Sequence, residues 1–408
     1  MKHKFKYLII LFMTTNLLLG VGSKNIAIPK EDTIYKNIYV EGIDISSLNL
    51  KEARNLIKSK HKEKSITLKY ENNIYTLNPE DIDLSFNIDK AIKDAYSYTR
   101  TNQSFENIKR KLNLNFKNVY TVNLIPTYNE SKLSNFFNTI CKEIDIKEVN
   151  ASIDIDDSGI IKKSPSKLGK KVNVIKLKEN LYNMIMSKNL QDVEIPINII
   201  KPDISTKDVD SINTVLGQFS TIFNHTTSRG NNIGVASNST SNILLMPHHE
   251  FSYNKATGSR TWHNGYKSAK VIIGGKYVNG EGGGVCQVST TIYNAALLSG
   301  MDITEVHNHT FISRYAPAGR DAAVSYGYTD FKFLNPLKHP VYIKNVVNNG
   351  IITSKIYGCN EDREKLYIIT KNKYEKDKIQ VYTYRIYLDE EGNSSRKELV
   401  SKNIYIKN

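Results

Sequence analysis

Cys286 ends a glycine-rich run in Gly280-Glu-Gly-Gly-Gly-Val-Cys-Gln-Val-Ser-Thr-Thr-Ile-Tyr-Asn-Ala-Ala-Leu-Leu-Ser-Gly300. Consecutive glycines reach backbone angles closed to other residues and let a substrate approach the main chain. Val288, Ile292 and Ala295 then share a helical face, and Gly300 can end the helix. The spacing predicts a helix with Cys286 at or near its N-terminus. There the unsatisfied N–H groups and the positive dipole end favour a thiolate. The same N–H groups, along Gly284, Gln287 and Val288, suit an oxyanion on an attacked carbonyl. The competing reading is a small buried cysteine in a turn, but a structural cysteine seldom needs three preceding glycines.

A cysteine nucleophile usually works with a base. His307-Asn308-His309 follows Ile303-Thr-Glu-Val, an alternating strand that puts both histidines on one face. Spacing alone does not choose between them. Tyr315-Ala-Pro-Ala-Gly-Arg-Asp-Ala follows; Asp321 could orient an imidazole and Arg320 could bind a substrate carboxylate in a bidentate manner. A salt bridge between Arg320 and Asp321 is the rival role. Metal chemistry is not expected, because the adjacent His248 and His249 form no H-E-x-x-H and no cysteine pair has zinc spacing. No Walker pattern is present and no cofactor is expected. Trp262 and Tyr266 could line a groove or lie in a core.

These residues sit between Leu216 and Tyr357, a stretch rich in Gly, Ser, Thr, Asn and His that holds seven of the nine histidines. It reads as the functional domain, residues 210–358. Lys365 to Ile369, Ile379 to Leu388 and Asn403 to Ile406 read as strands of a β extension, 359–408, with a turn at Glu391-Gly392-Asn393. Ahead of it, Asn49 and Glu52 form a capping-box pair for a helix carrying Leu50, Ala53, Leu56 and Ile57 on one face. Leu133, Phe136, Phe137, Ile140 and Cys141 form a second apolar stripe, which places Cys141 in a core. Ala151 to Ile155 and Ile160-Ile161 suggest a hairpin. Phe86-Asn87-Ile88 and Val172-Asn173-Val174 each precede a helix, an offset that suggests two tandem α+β repeats, 36–120 and 121–203. The expected fold class is α+β throughout.

Lys2, His3, Lys4 and Lys6 precede an apolar run from Tyr7 to Gly22. That is the layout of an export leader, residues 1–23, followed by a polar linker, 24–35. The run is short for a spanning helix and has no clean A-x-A site, so a cleaved signal and a membrane anchor both stay open. The net charge of +15 favours anionic partners, and 24% charged with 40% apolar residues is a globular balance. Export, with Lys far outnumbering Arg, argues against nucleic acid. Three cysteines, Cys141, Cys286 and Cys359, allow one disulfide at most, so a thiol is left over.

The segment from Leu216-Gly-Gln-Phe-Ser-Thr to Pro340-Val-Tyr-Ile-Lys resembles the VanW family. The likeness rests on Arg229 with Asn232, Glu250-Phe-Ser-Tyr-Asn, Gly258-x-Arg, Gly265-Tyr, Gly282 to Ala295, His309, Tyr315-x-Pro-x-Gly-Arg-Asp-Ala and Asp330-Phe-Lys-Phe. The preceding repeats, through Gly42-Ile-Asp-Ile-Ser, resemble the peptidoglycan-binding module that commonly precedes VanW domains. Some members of that family are cysteine-dependent L,D-transpeptidases. The resemblance implies Cys286 as nucleophile and His309 as base, with Asp321 behind it. It implies substrate contacts among Arg320, Arg314, Arg229, Ser289 and Tyr315, and partners in peptidoglycan stem peptides and glycan. It also implies an extracytoplasmic site, anchored to the membrane through the N-terminal segment or secreted to the wall. Ser313-Arg314 stands where Val-Ser is usual, and Ala318 where Pro is common. The high Lys, Asn and Ile content fits a low-GC Gram-positive source.

Overall fold

A computed structural model describes residues 32–187, 192–273 and 276–407. The leader, residues 1–23, lies outside the described residues. Among the described residues no helix is long and apolar enough to cross a membrane. The chain is α+β and divides into two compact units.

The first unit comprises the residues up to Glu143 together with Val172–Pro196. Several of its helices start on side-chain caps. Asn49 accepts from the Glu52 N–H while Glu52 accepts from the Asn49 N–H, the expected capping box at the head of Leu50–Lys60. Asn87 and Asn173 each accept from the N–H three residues on, at the heads of Ile88–Ser97 and Val174–Ser187. Glu130–Ile144 carries the Leu133, Phe137 and Ile140 stripe inward, with Cys141 half-buried. Ile34, inside the span read as a linker, is fully buried with Ile38, Val40, Ala53, Ile57 and Ile92. Its N–H and C=O bond Leu48 and Ser47, so the ordered fold begins before residue 36.

The second unit comprises Ile144–Lys171 and the residues from Ile197 onward. Its frame is an antiparallel sheet in the order Thr214–Ile222, Ile351–Gly358, Val341–Asn348, Ile243–Leu245. The central helix, Val285–Leu298, packs on this sheet, and Val288, Ile292 and Ala295 are fully buried in the shared core. Polar side chains also tie helix to sheet: Thr291 Oγ1 lies 2.9 Å from Thr221 Oγ1, and Gln287 Nε2 donates to Thr221 Oγ1 and to Ile222 O, both at 2.9 Å. Gly300, at φ +75°, ends the helix as expected: the Met301 N–H reaches Ala296 O and the Gly300 N–H reaches Leu297 O, a Schellman arrangement.

A second sheet runs Glu250–Ser252, Lys332–Leu334, Asp302–Glu305. The β extension is an antiparallel meander of Leu366–Tyr374, Lys378–Leu388 and Ser394–Ile406, longer than its sequence pattern suggested. The hairpin Ser152–Ile155 with Ile161–Ser164 clusters with Ile212, Tyr342 and Tyr357, inside the second unit.

Candidate functional site

The Gly-rich loop is held from two sides. Buried Asn232, on the Ser228–Ser239 helix, donates to Gly283 O at 3.0 Å and Lys267 O at 2.8 Å and accepts the Lys267 N–H at 2.7 Å. The buried Tyr253 hydroxyl donates to Val285 O at 2.9 Å. Gly284 caps the central helix at φ +113°, and a Cβ there would meet Arg229 Cγ at 2.9 Å and Arg229 O at 3.0 Å. Only glycine fits both the angle and the space.

Cys286 is therefore the second residue of a buried helix, at its positive end. The Gln287 N–H is taken by Gly284 O at 3.0 Å. Among the described residues no backbone carbonyl accepts the Cys286 N–H, so that N–H is the best-placed donor to an oxyanion. The Cys286 sulfur lies 3.5 Å from Val324 O. Burial opposes ionisation of this thiol, but hydrogen bonding and charge from the His309 imidazole outweigh it and bring the thiol below its ordinary range.

His309 and Asp321 meet as a fixed pair. His309 Nδ1 lies 2.6 Å from Asp321 Oδ2, and the His309 N–H donates to the same oxygen at 2.8 Å. Nδ1 engaged in this way leaves Nε2 to the cysteine. Burial works against the imidazolium, but Asp321 and then Cys286 push its pKa up to about 10. The arrangement favours a thiolate–imidazolium pair at neutral pH, ready for nucleophilic attack on a carbonyl and for proton delivery to a leaving group.

The remaining carboxylate oxygen, Asp321 Oδ1, accepts the hydroxyl of fully buried Tyr405, from the last strand of the β extension. That hydroxyl in turn accepts the Gly319 N–H at 2.8 Å. Burial first, then the Asp321 charge, keeps it protonated. Tyr405→Phe leaves a buried carboxylate oxygen and an N–H without partners and should destabilise the protein by about 1–3 kcal/mol. Urea unfolding of the two proteins checks this; a midpoint unchanged by the substitution would contradict it.

Tyr315 belongs to the same group: its ring centre is 6.4 Å from that of His309. Burial, then the nearby Cys286 and Asp321 charges, push its ionisation well up, and it hydrogen-bonds Thr290. Arg229 packs against Gly284 and its charge reaches Tyr315. Ser289 is buried and ties the helix to the His309 side, donating to Ala322 O at 2.6 Å. Val288 is core.

Two further arginines directly precede members of this group in the chain. Arg320 gives its Nε–H to Asn294 Oδ1 at 2.6 Å and lies over the Phe219 ring at 5.2 Å. Asn294 is eight residues beyond Cys286, about 12 Å along the helix. Arg314 is exposed. His307 turns outward to Glu305, 3.1 Å away, a carboxylate held down to about 2 chiefly by Lys332. Trp262 is 68% exposed while Tyr266 is buried.

Two contributors were not singled out from the sequence. Tyr405 is one. The other is Arg260, whose stem packs on Gly282, whose charge acts on Cys286 and Tyr253, and whose buried Nε has no partner among the described residues. Its only sequence signal was the Gly258-x-Arg spacing. A second cysteine–histidine group lies elsewhere in this unit: atoms of His339, Cys359 and Glu361 all lie within 4.8 Å of one another.

Residues 228–357 match the family described as VanW like protein, and residues 75–194 match the family described as "Putative peptidoglycan binding domain". The chain is 32% identical over 248 residues to the uncharacterized protein YoaR of Bacillus subtilis (strain 168), across 60% of this chain and 80% of that protein. No solved structure matches. Cysteine–histidine groups in and just beyond the VanW-matching region are consistent with a peptidoglycan-modifying enzyme. The two matches together are consistent with an extracytoplasmic, cell-wall-associated protein. On both the family match and the kinship to YoaR, the chain belongs to the VanW family.

Proposed function

We propose that this protein is a peptidoglycan L,D-transpeptidase that forms 3→3 cross-links through a thioester on Cys286. The observation that carries the reading is the Cys286–His309–Asp321 group at the N-terminus of a buried helix. The thiolate attacks the carbonyl of the third stem residue, a diaminopimelate, and the Cys286 N–H receives the oxyanion. The C–N bond to the terminal D-Ala breaks as His309 protonates the departing amine, leaving a thioester. The side-chain amine of a neighbouring stem then attacks, His309 takes its proton, and the thiolate is restored. Arg229 and Arg260, packed on the Gly-rich loop, are better placed than Arg320 for the terminal carboxylate. Arg314 is exposed and takes no assigned contact in this reading.

In this reading residues 1–23 direct export and either anchor the chain at the membrane or are cleaved to release it to the wall. Residues 36–120 and 121–203 are read as a tandem-repeat arm that meets glycan or spaces the active site from the membrane, with 144–171 and 197–203 seated in the unit where 210–358 carry the chemistry and 359–408 brace it. Purified protein incubated with disaccharide-tetrapeptide should yield a dimer lacking one D-Ala, read by intact mass, and should exchange added D-amino acids into the fourth position. Tripeptide alone at every concentration would make it a carboxypeptidase. A 4→3 dimer formed only from pentapeptide would exclude L,D chemistry. Unchanged substrate would leave a wall-binding protein.

A further inference from the structure

We propose that His339, Cys359 and Glu361 bind one divalent zinc-class ion, at a site separate from Cys286. Cys359 is buried directly after the strand Ile351–Gly358, and it opens a 3-10 turn, Asn360–Asp362. The turn is closed by the Asp362 N–H to Cys359 O at 3.1 Å and braced by the Asn360 N–H to Asn213 Oδ1 at 3.0 Å. His339 arrives from just before Val341–Asn348, the strand paired with Ile351–Gly358. One ligand atom from each of the three residues lies within 4.8 Å of the others.

The histidine is already oriented as metal-bound histidines are. Asp362 Oδ2 lies 2.9 Å from His339 Nδ1 and accepts the His339 N–H at 3.0 Å, which leaves Nε2 as the ligand. A carboxylate behind a ligating imidazole fixes its tautomer and raises its basicity. Four consecutive residues thus supply two ligands and the orienting group. A thiolate, an imidazole and a carboxylate suit zinc, and three protein ligands leave a fourth position open to water or another donor. Binding displaces the Cys359 thiol proton to solvent, so a bound ion with Cys359 thiolate and Glu361 carboxylate is charge-balanced. The ion would pin the two ends of the paired central strands of the sheet. Sequence spacing does not reveal this site because its ligands are not a cysteine or histidine pair but Cys-x-Glu with a histidine from the turn before a neighbouring strand.

The full-length protein, stripped with a chelator, is titrated with Co²⁺ and competed with Zn²⁺. The expected result is one ion per chain with a thiolate-to-cobalt charge-transfer band that zinc abolishes. Cys359→Ser should remove the band and Cys286→Ser should keep it. Glu361→Gln, a change at an exposed residue, should keep the band but weaken binding at least about tenfold, and Asp362→Asn should weaken it about 10–100-fold. No band in the unaltered protein, a band surviving Cys359→Ser, loss of the band in Cys286→Ser, or unchanged affinity in both Glu361→Gln and His339→Asn would each overturn the proposal. Circular dichroism on each variant separates lost ligation from lost fold.

Discussion

Protein with Cys286→Ala is expected to form no thioester with a tetrapeptide stem, a loss on the order of 10⁴-fold or more in turnover. Cys141→Ala should leave thioester formation nearly intact. The difference follows from where each thiol sits. Cys286 lies at a helix N-terminus with a buried imidazolium against it, so its thiolate is stabilised twice. Cys141 lies within the helix Glu130–Ile144, far from its N-terminus, on an apolar stripe. A thiol-reactive probe should therefore label Cys286 first, with activity lost in step, as peptide mapping would read. Dominant labelling of Cys141 or Cys359, with activity falling in parallel, would move the nucleophile elsewhere.

His309→Ala should cost about 10²–10⁴-fold in rate, the usual range for a lost general base, and His307→Ala far less. His309 reaches both Asp321 and Cys286, whereas His307 is 46% exposed and turned to Glu305. A pH signature accompanies the rate. In the intact pair His309 keeps its proton to about pH 10 and holds the thiol below its usual range. Without the imidazolium, burial dominates, the thiol pKa rises, and less thiolate exists at neutral pH. Iodoacetamide alkylation of Cys286 should accordingly shift its rising limb to higher pH in His309→Ala and stay in place in His307→Ala. Equal losses in the two variants, or an unmoved limb, would count against His309.

The sequence made local features plain and distant ones invisible. Gly284 and Gly300 bracket the one helix that starts with Val285 and Cys286, so periodicity and glycine placement were enough. The Asn49–Glu52 box and the Asn87 and Asn173 caps are also contacts across three residues. Alternation predicts one face for His307 and His309, but the strand ends at Glu305, before either of them, and they part: Glu305 takes one and Asp321 the other. Arg320 shows the limit of a residue-type argument, since its guanidinium is occupied by Asn294, a partner that only helix packing supplies. The Ser152–Ser164 hairpin was legible as a hairpin, yet its packing partners Tyr342 and Tyr357 come from far along the chain. The cluster at His339 and Cys359 likewise depends on strand pairing that no local window contains.

Tyr405 follows Asp321 by 84 residues. A chain made from its N-terminus produces Cys286, His309 and Asp321 well before the strand Ser394–Ile406 exists. Until that strand docks, Asp321 Oδ1 lacks its hydroxyl donor, and the Thr310 carbonyl lacks the Ile406 N–H that fastens the His309 loop. A half-made or truncated chain would therefore carry the thiol, the imidazole and the carboxylate while lacking two of the bonds that hold the last two in place. Clipping within Ser394–Ile406 by a protease would remove the same two bonds while leaving Cys286, His309 and Asp321 in the chain.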